Sequence, residues 1–170
     1  MPLDVTLPSE REIRIVRRFA APRQLIWDCH TQPELTRRWL LGPPGWSMPV
    51  CVIDLSVGGR YRYVWRKDAT GEQFGSFGRH LEIAAPSRLV TTEEMDGLGG
   101  QPMDIEDPVE GPEPAVNTLV LTEHGGETVL TLTQCFASQE MRDMVLKSGM
   151  TDGVETSYRR IDEIAAEAAA

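Results

Sequence analysis

A chain of 170 residues is long enough to bury one core, and its 26 acidic against 17 basic side chains give a formal charge of −9. That charge argues against nucleic acid or an anionic membrane surface as the main partner. Three scattered cysteines, Cys29, Cys51 and Cys135, lack disulfide-framework or zinc spacing and read as reduced core residues, so neither metal nor cofactor is expected. Residues 1–9 carry no secretory pattern, and no apolar run approaches membrane-spanning length. A cytoplasmic protein is expected, with a single domain over residues 10–169 and a short N-terminal extension over residues 1–9.

Residues Glu10 to Phe19 alternate, with Ile13, Ile15 and Phe19 on one face, and predict a first strand. Arg17 shares parity with the apolar set. It is expected at a bulge that turns it outward, the alternative being a buried cation paired with an acid. Pro22 and Pro33 each suit a first helical position and open two short helices, one through Trp27 to His30 and one from Pro33 to Leu41, where Gly42 to Gly45 ends it.

Trp46 onward reads as antiparallel hairpins: 46–55, 60–66, 73–84, 89–94, 116–123 and 128–136, for seven strands with the first. In Arg60 to Arg66, Tyr61, Tyr63 and Trp65 face one way and the arginines the other. A face of rings with polar handles either fills a core or walls a small-molecule pocket. His80 and Glu82 share parity, as a solvated face or, if turned inward, as an acid–base pair. Met95 to Pro114 holds six acids and no base, and is expected to be disordered surface or a lid over a cavity.

Ser138 to Ala170 predicts one long helix capped by Ser138, with an apolar stripe at Val154, Tyr158, Ile161, Ala165 and Ala168. Gly149 and Gly153 interrupt it and mark a kink or a space beside the sheet.

The runs RRFAAP from Arg17 to Pro22, TQPE from Thr31 to Glu34, WLLGP from Trp39 to Pro43, VGGRYRY from Val57 to Tyr63 and GRHLEIAAP from Gly78 to Pro86 stand in a specific order. Gly149, Met150 and Gly153 complete the pattern. It resembles the START-like SRPBCC superfamily, in the branch similar to the activator of the ninety-kilodalton heat-shock chaperone's ATPase, and polyketide cyclases of the same superfamily are also similar. The resemblance implies an α+β helix-grip fold: a seven-stranded antiparallel sheet curled around a long C-terminal helix, two short helices after the first strand, and an apolar cavity. That branch usually carries tryptophan and leucine where this chain has Val154 and Tyr158, which implies a cavity enlarged toward Gly153 with a polar spot near Tyr158.

The expected function is binding of a small hydrophobic, aromatic or amphipathic molecule, a lipid among them. Trp39, Tyr61, Tyr63, Trp65, His80, Met150, Val154 and Tyr158 are the cavity residues, and no catalytic residue is assigned. Two alternatives are a module regulating a chaperone or other protein partner, and a cyclase- or aromatase-like enzyme. A homodimer stays open.

Overall fold

In the computed structural model, which describes residues 3–170, the strands form one antiparallel sheet of eight, not seven. In chain order they are β1 (Asp4–Thr6), β2 (Glu12–Phe19), β3 (Trp46–Ile53), β4 (Arg60–Lys67), β5 (Gln73–Ala84), β6 (Arg88–Asp96), β7 (Ala115–His124) and β8 (Glu127–Cys135). The spatial order is β1-β2-β8-β7-β6-β5-β4-β3. The added strand lies inside the expected extension, whose residues 1 and 2 fall outside the described residues. β1 pairs Val5 with Ile15; three residues are too few to show a period of two.

Two helices, α1 (Arg23–Thr31) and α2 (Pro33–Trp39), follow β2. The expected single C-terminal helix is two: α3 (Gln139–Lys147) and α4 (Met150–Ala169). The break is at Gly149, where φ is +82°, a left-handed conformation that a side chain would disfavour. Ser138 caps α3 by accepting from the Met141 amide at 3.2 Å. No helix among the described residues is long and apolar enough to cross a membrane.

The sheet's inner face and α4 make the core. Ile13, Ile15, Phe19, Leu121 and Leu130 from the sheet meet Ile26 and Trp27 of α1 and Ile161, Ile164 and Ala165 of α4, all buried. Each large side chain so covered contributes about 1.5–3 kcal/mol. Ala168, expected in the same stripe, is exposed because the last turn of α4 runs past this core. A second, smaller cluster of Met48, Cys51 and Trp65 sits at the β3–β4 end.

Arg17 overturns the outward bulge. The β2–β8 register runs unbroken through Arg17 opposite Leu130, and the side chain is only 2 % exposed. Its guanidinium donates to both carboxylate oxygens of Asp162 at 2.7 Å and reaches Glu155 at 3.4 Å. A buried cation requires such acids, and α4 supplies them seven residues apart, on either side of Tyr158.

Residues 95–114 lie on the sheet's outer face, away from the concave side. Arg62, itself buried, holds Asp96 through two bonds of 2.7 Å and donates to the Asp104 and Ile105 carbonyls. Arg60 reaches Asp107 at 3.1 Å and Arg79 reaches Glu110 at 2.6 Å. The acids that suggested disorder are therefore partners of the outward-facing arginines. The segment forms a strap on the convex surface.

Candidate functional site

Between the two apolar clusters the inner face and α4 do not meet, and a cavity of about 500 Å³ remains. All eight residues named from the sequence are placed around it: Trp39 at the end of α2, Tyr61, Tyr63 and Trp65 on β4, His80 on β5, and Met150, Val154 and Tyr158 on α4. The helix side is open at Gly153, where an added Cβ would meet nothing within 4 Å.

Several rings are fixed by their polar ends. Trp39 Nε1 donates to the Cys29 carbonyl, Trp65 Nε1 to the Leu40 carbonyl and Tyr61 Oη to the Thr92 carbonyl, each at 2.6 Å. Tyr61 and Tyr63 pack at a tilt with 5.0 Å between centroids, as do Trp39 and Tyr158 at 5.8 Å. Arg160 of α4 donates to the Trp39 and Gly42 carbonyls at 3.3 and 2.7 Å, tying the end of α2 to the helix. A wall pinned in this way keeps its shape without a guest. The Tyr63 and Tyr158 phenols are both raised by burial and stay neutral.

The expected His80–Glu82 pair does not form. The β5–β6 register shifts between His80, opposite Thr91, and Glu82, opposite Val90. The extra residue, Leu81, reverses the facing beyond it. His80 therefore points inward, while Glu82 is exposed and bonds Arg88 at 3.1 Å. His80 Nδ1 lies 3.2 Å from the Gly59 carbonyl, so this nitrogen carries the proton and Nε2 is left as an acceptor. Burial lowers its pKa. His30, whose Nδ1 donates to the Ile26 carbonyl at 2.7 Å, is pushed down to about 4 by burial. Both rings are neutral at pH 7.

Three polar residues missed in the sequence complete the floor: Glu93 on β6, Asn117 on β7 and Gln134 on β8. Asn117 is the register partner of both Thr91 and Gln134, and Thr91 that of His80. A row of four polar side chains thus crosses the sheet. Glu93 lies two residues beyond Thr91 on the same face, and burial raises its pKa, with the Asn117 side chain partly offsetting the rise. Asn117 Oδ1 and Gln134 Oε1 are buried without a hydrogen-bond partner. Strand parity was the available signal, since Glu93 shares it with Leu89, Asn117 with Leu119, and Gln134 with Leu130.

Among the described residues, no three His, Cys, Asp or Glu side chains come together as a metal site. Cys29, Cys51 and Cys135 are free thiols; burial pushes Cys29 up to about 11, so it stays a thiol.

A family model described as Activator of Hsp90 ATPase homolog 1-like protein matches residues 20–166. The chain belongs to this family. Among solved structures, a Rhodobacter sphaeroides protein is similar at 29% identity and TM-score 0.84, covering 98% of this chain and 99% of that one. Protein Ms6760 from Mycobacterium smegmatis is similar at 25% identity and TM-score 0.78, with 96% of each chain covered. An AHSA1-like protein from Aeromonas hydrophila shares the fold at 17% identity and TM-score 0.66, over 89% of this chain and 93% of that one. No curated protein matches the chain. The α+β helix-grip architecture of this AHSA1-like chain is of a ligand-binding type in general terms.

Proposed function

We propose that this AHSA1-like protein is a non-enzymatic binding module that holds a small hydrophobic or amphipathic molecule between its sheet and α4. The observation that carries this reading is the cavity of about 500 Å³, within the range that takes drug-sized ligands. Its walls are aromatic and its few polar groups converge on one floor, which suits a molecule with an apolar body and one polar end. In this reading Trp39, Tyr61, Tyr63, Trp65, Met150, Val154 and Tyr158 grip the body, and His80 belongs to the polar floor. The single domain is taken to span residues 10–169, with β1 attached to its edge.

The test is native mass spectrometry of the purified chain for a retained small molecule, followed by thermal shift with apolar and aromatic compounds. Ligand binding to the folded state raises the melting temperature, by an amount that grows with the logarithm of ligand concentration over Kd. A chain that retains nothing and shifts with none of them would remove the proposal. The protein-partner alternative draws support from the family's description, and complex formation with the chaperone is its test. The enzyme alternative loses its His80–Glu82 pair, which faces two ways.

A further inference from the structure

Glu93 is the one carboxylate, and no lysine or arginine is present, among the side chains lining the cavity. Among the described residues no cation lies within ion-pair distance of it; every arginine near an acid is committed elsewhere, Arg17 to α4 and Arg60, Arg62 and Arg79 to the outer strap. Glu93 retains some accessible surface although protein surrounds it, so that surface faces the cavity.

The groups beside it repeat the pattern. Asn117 Oδ1, like Gln134 Oε1, is buried without a donor. His80 donates outward to the Gly59 carbonyl, which leaves Nε2 accepting. Two amide oxygens are left without a donor from the protein, and the Glu93 carboxylate and the His80 imidazole share the cavity with them. Buried acceptors left in this way are penalised, and a ligand that donates to them removes the penalty.

On β4, two strands along the sheet and lining the same cavity, stand Tyr61, Tyr63 and Trp65, whose ring faces attract cations. Tyr61 and Tyr63 are both coupled to the Glu93 charge. A carboxylate sharing a cavity with π surfaces, in a protein of formal charge −9, repels anions and attracts cations.

From this arrangement we infer that the cavity takes a basic amphiphile, an aromatic or aliphatic body ending in a primary or secondary ammonium, whose N–H groups bond Glu93, Asn117 and Gln134. This rests on the proposed ligand-binding role and deepens it. Fatty acids and other anionic amphiphiles are disfavoured, because no lysine or arginine lines the cavity to pair with a carboxylate head and the Glu93 charge opposes one.

The experiment uses the full chain and three probes with one body: 2-(2-naphthyl)ethylamine, 2-(2-naphthyl)ethanol and 3-(2-naphthyl)propionate. Calorimetry is run on wild type and Glu93→Gln across pH 4 to 8, where the amine stays protonated. The amine should bind about tenfold or more tighter than the alcohol, with the acid weakest. Glu93→Gln should bring amine affinity down to near that of the alcohol, costing the amine far more than the alcohol. In wild type the amine's advantage should fade as pH drops and Glu93 protonates.

The titratable groups that share the cavity with Glu93 are Tyr61 and Tyr63 on β4, His80 on β5, His30 on α1 and Tyr158 on α4. The phenols stay neutral throughout. Histidine protonation would also repel the amine at low pH, and the Glu93→Gln titration isolates the carboxylate. Alcohol binding equal to amine binding, or an amine preference that survives in Glu93→Gln, overturns the inference and leaves the binding role standing. No binding of any probe at any pH overturns both. The wild-type ranking of amine over alcohol and acid at pH 8, where the histidines are neutral, tests the inference without depending on a variant that folds.

Discussion

Val154→Trp is the substitution that most directly tests whether the space between α4 and the sheet is real and used. Val154 lines the cavity beside Gly153, so an indole there would project into the void. If it occupies about one fifth of the 500 Å³, the void term of roughly 24 cal/mol per Å³ gives a ceiling of about 2 kcal/mol of stabilisation. Ordering the larger side chain returns about 0.5–1 kcal/mol of that. The net gain of about 1–2 kcal/mol corresponds to a melting temperature raised by about 2–8 °C in a chain of this size. Differential scanning fluorimetry without ligand should show that rise, and the shift induced by any wild-type ligand should vanish in the variant. Loss of several kcal/mol would mean the position is already packed, and an undiminished ligand shift would place the ligand elsewhere; either result refutes the reasoning.

Asp162→Ala leaves Arg17 buried with only the longer Glu155 contact. Urea denaturation should show a loss of about 2–3 kcal/mol, below the usual range for a broken buried pair because the Asp162 carboxylate is partly exposed. His30 has its folded pKa at about 4, below the ordinary 6.5, so the unfolded chain binds the extra proton between those values. Stability should fall as pH drops from 6.5 to 4, by up to about 3 kcal/mol, and His30→Phe should flatten that slope in pH-dependent denaturation. Glu93 behaves oppositely: with its folded pKa raised, stability is lost as pH rises above 4.5, so Glu93→Gln should be more stable than wild type at pH 8 and no different at pH 4. Arg62→Lys removes the two-pronged hold on Asp96; hydrogen exchange should quicken over residues 97–114 while ligand affinity stays unchanged, whereas weakened binding would mean the strap does reach the cavity.

Period two made the sheet readable wherever it stayed unbroken. Tyr61, Tyr63 and Trp65 share a face because nothing interrupts β4, and the alternation in Arg60 to Arg66 says as much. On β5 the same logic fails at Leu81, since a bulge is made by the pairing of two strands and leaves no mark on either alone. Arg17 was misread for a different reason. Its parity was visible, but its partners lie 138 and 145 residues away, and no local pattern announces an acid at that distance. Glu93, Asn117 and Gln134 were passed over because polar residues on strands usually face water. Their parity with buried leucines contained the contrary information, and a cavity is the circumstance in which it becomes meaningful.

The persistence of the void follows from how α4 is held. Its C-terminal half is set into the core through Ile161, Ile164 and Ala165, and Arg17 clamps it at Glu155 and Asp162. Arg160 fastens the same stretch to the backbone after α2. The N-terminal turns, from Met150 to Val154, are thus carried over the sheet by attachments on one side, with the flexible Gly149 joint on the other. To collapse onto β4 and β6 the helix would have to pivot, breaking the Arg17–Asp162 pair at a cost of about 2–3 kcal/mol to close a space whose floor is polar and gains little from apolar contact. The clamp and the polar floor act together: the first makes collapse expensive and the second makes it unrewarding, so the open cavity is the lower free-energy state until a molecule with a matching head and body fills it.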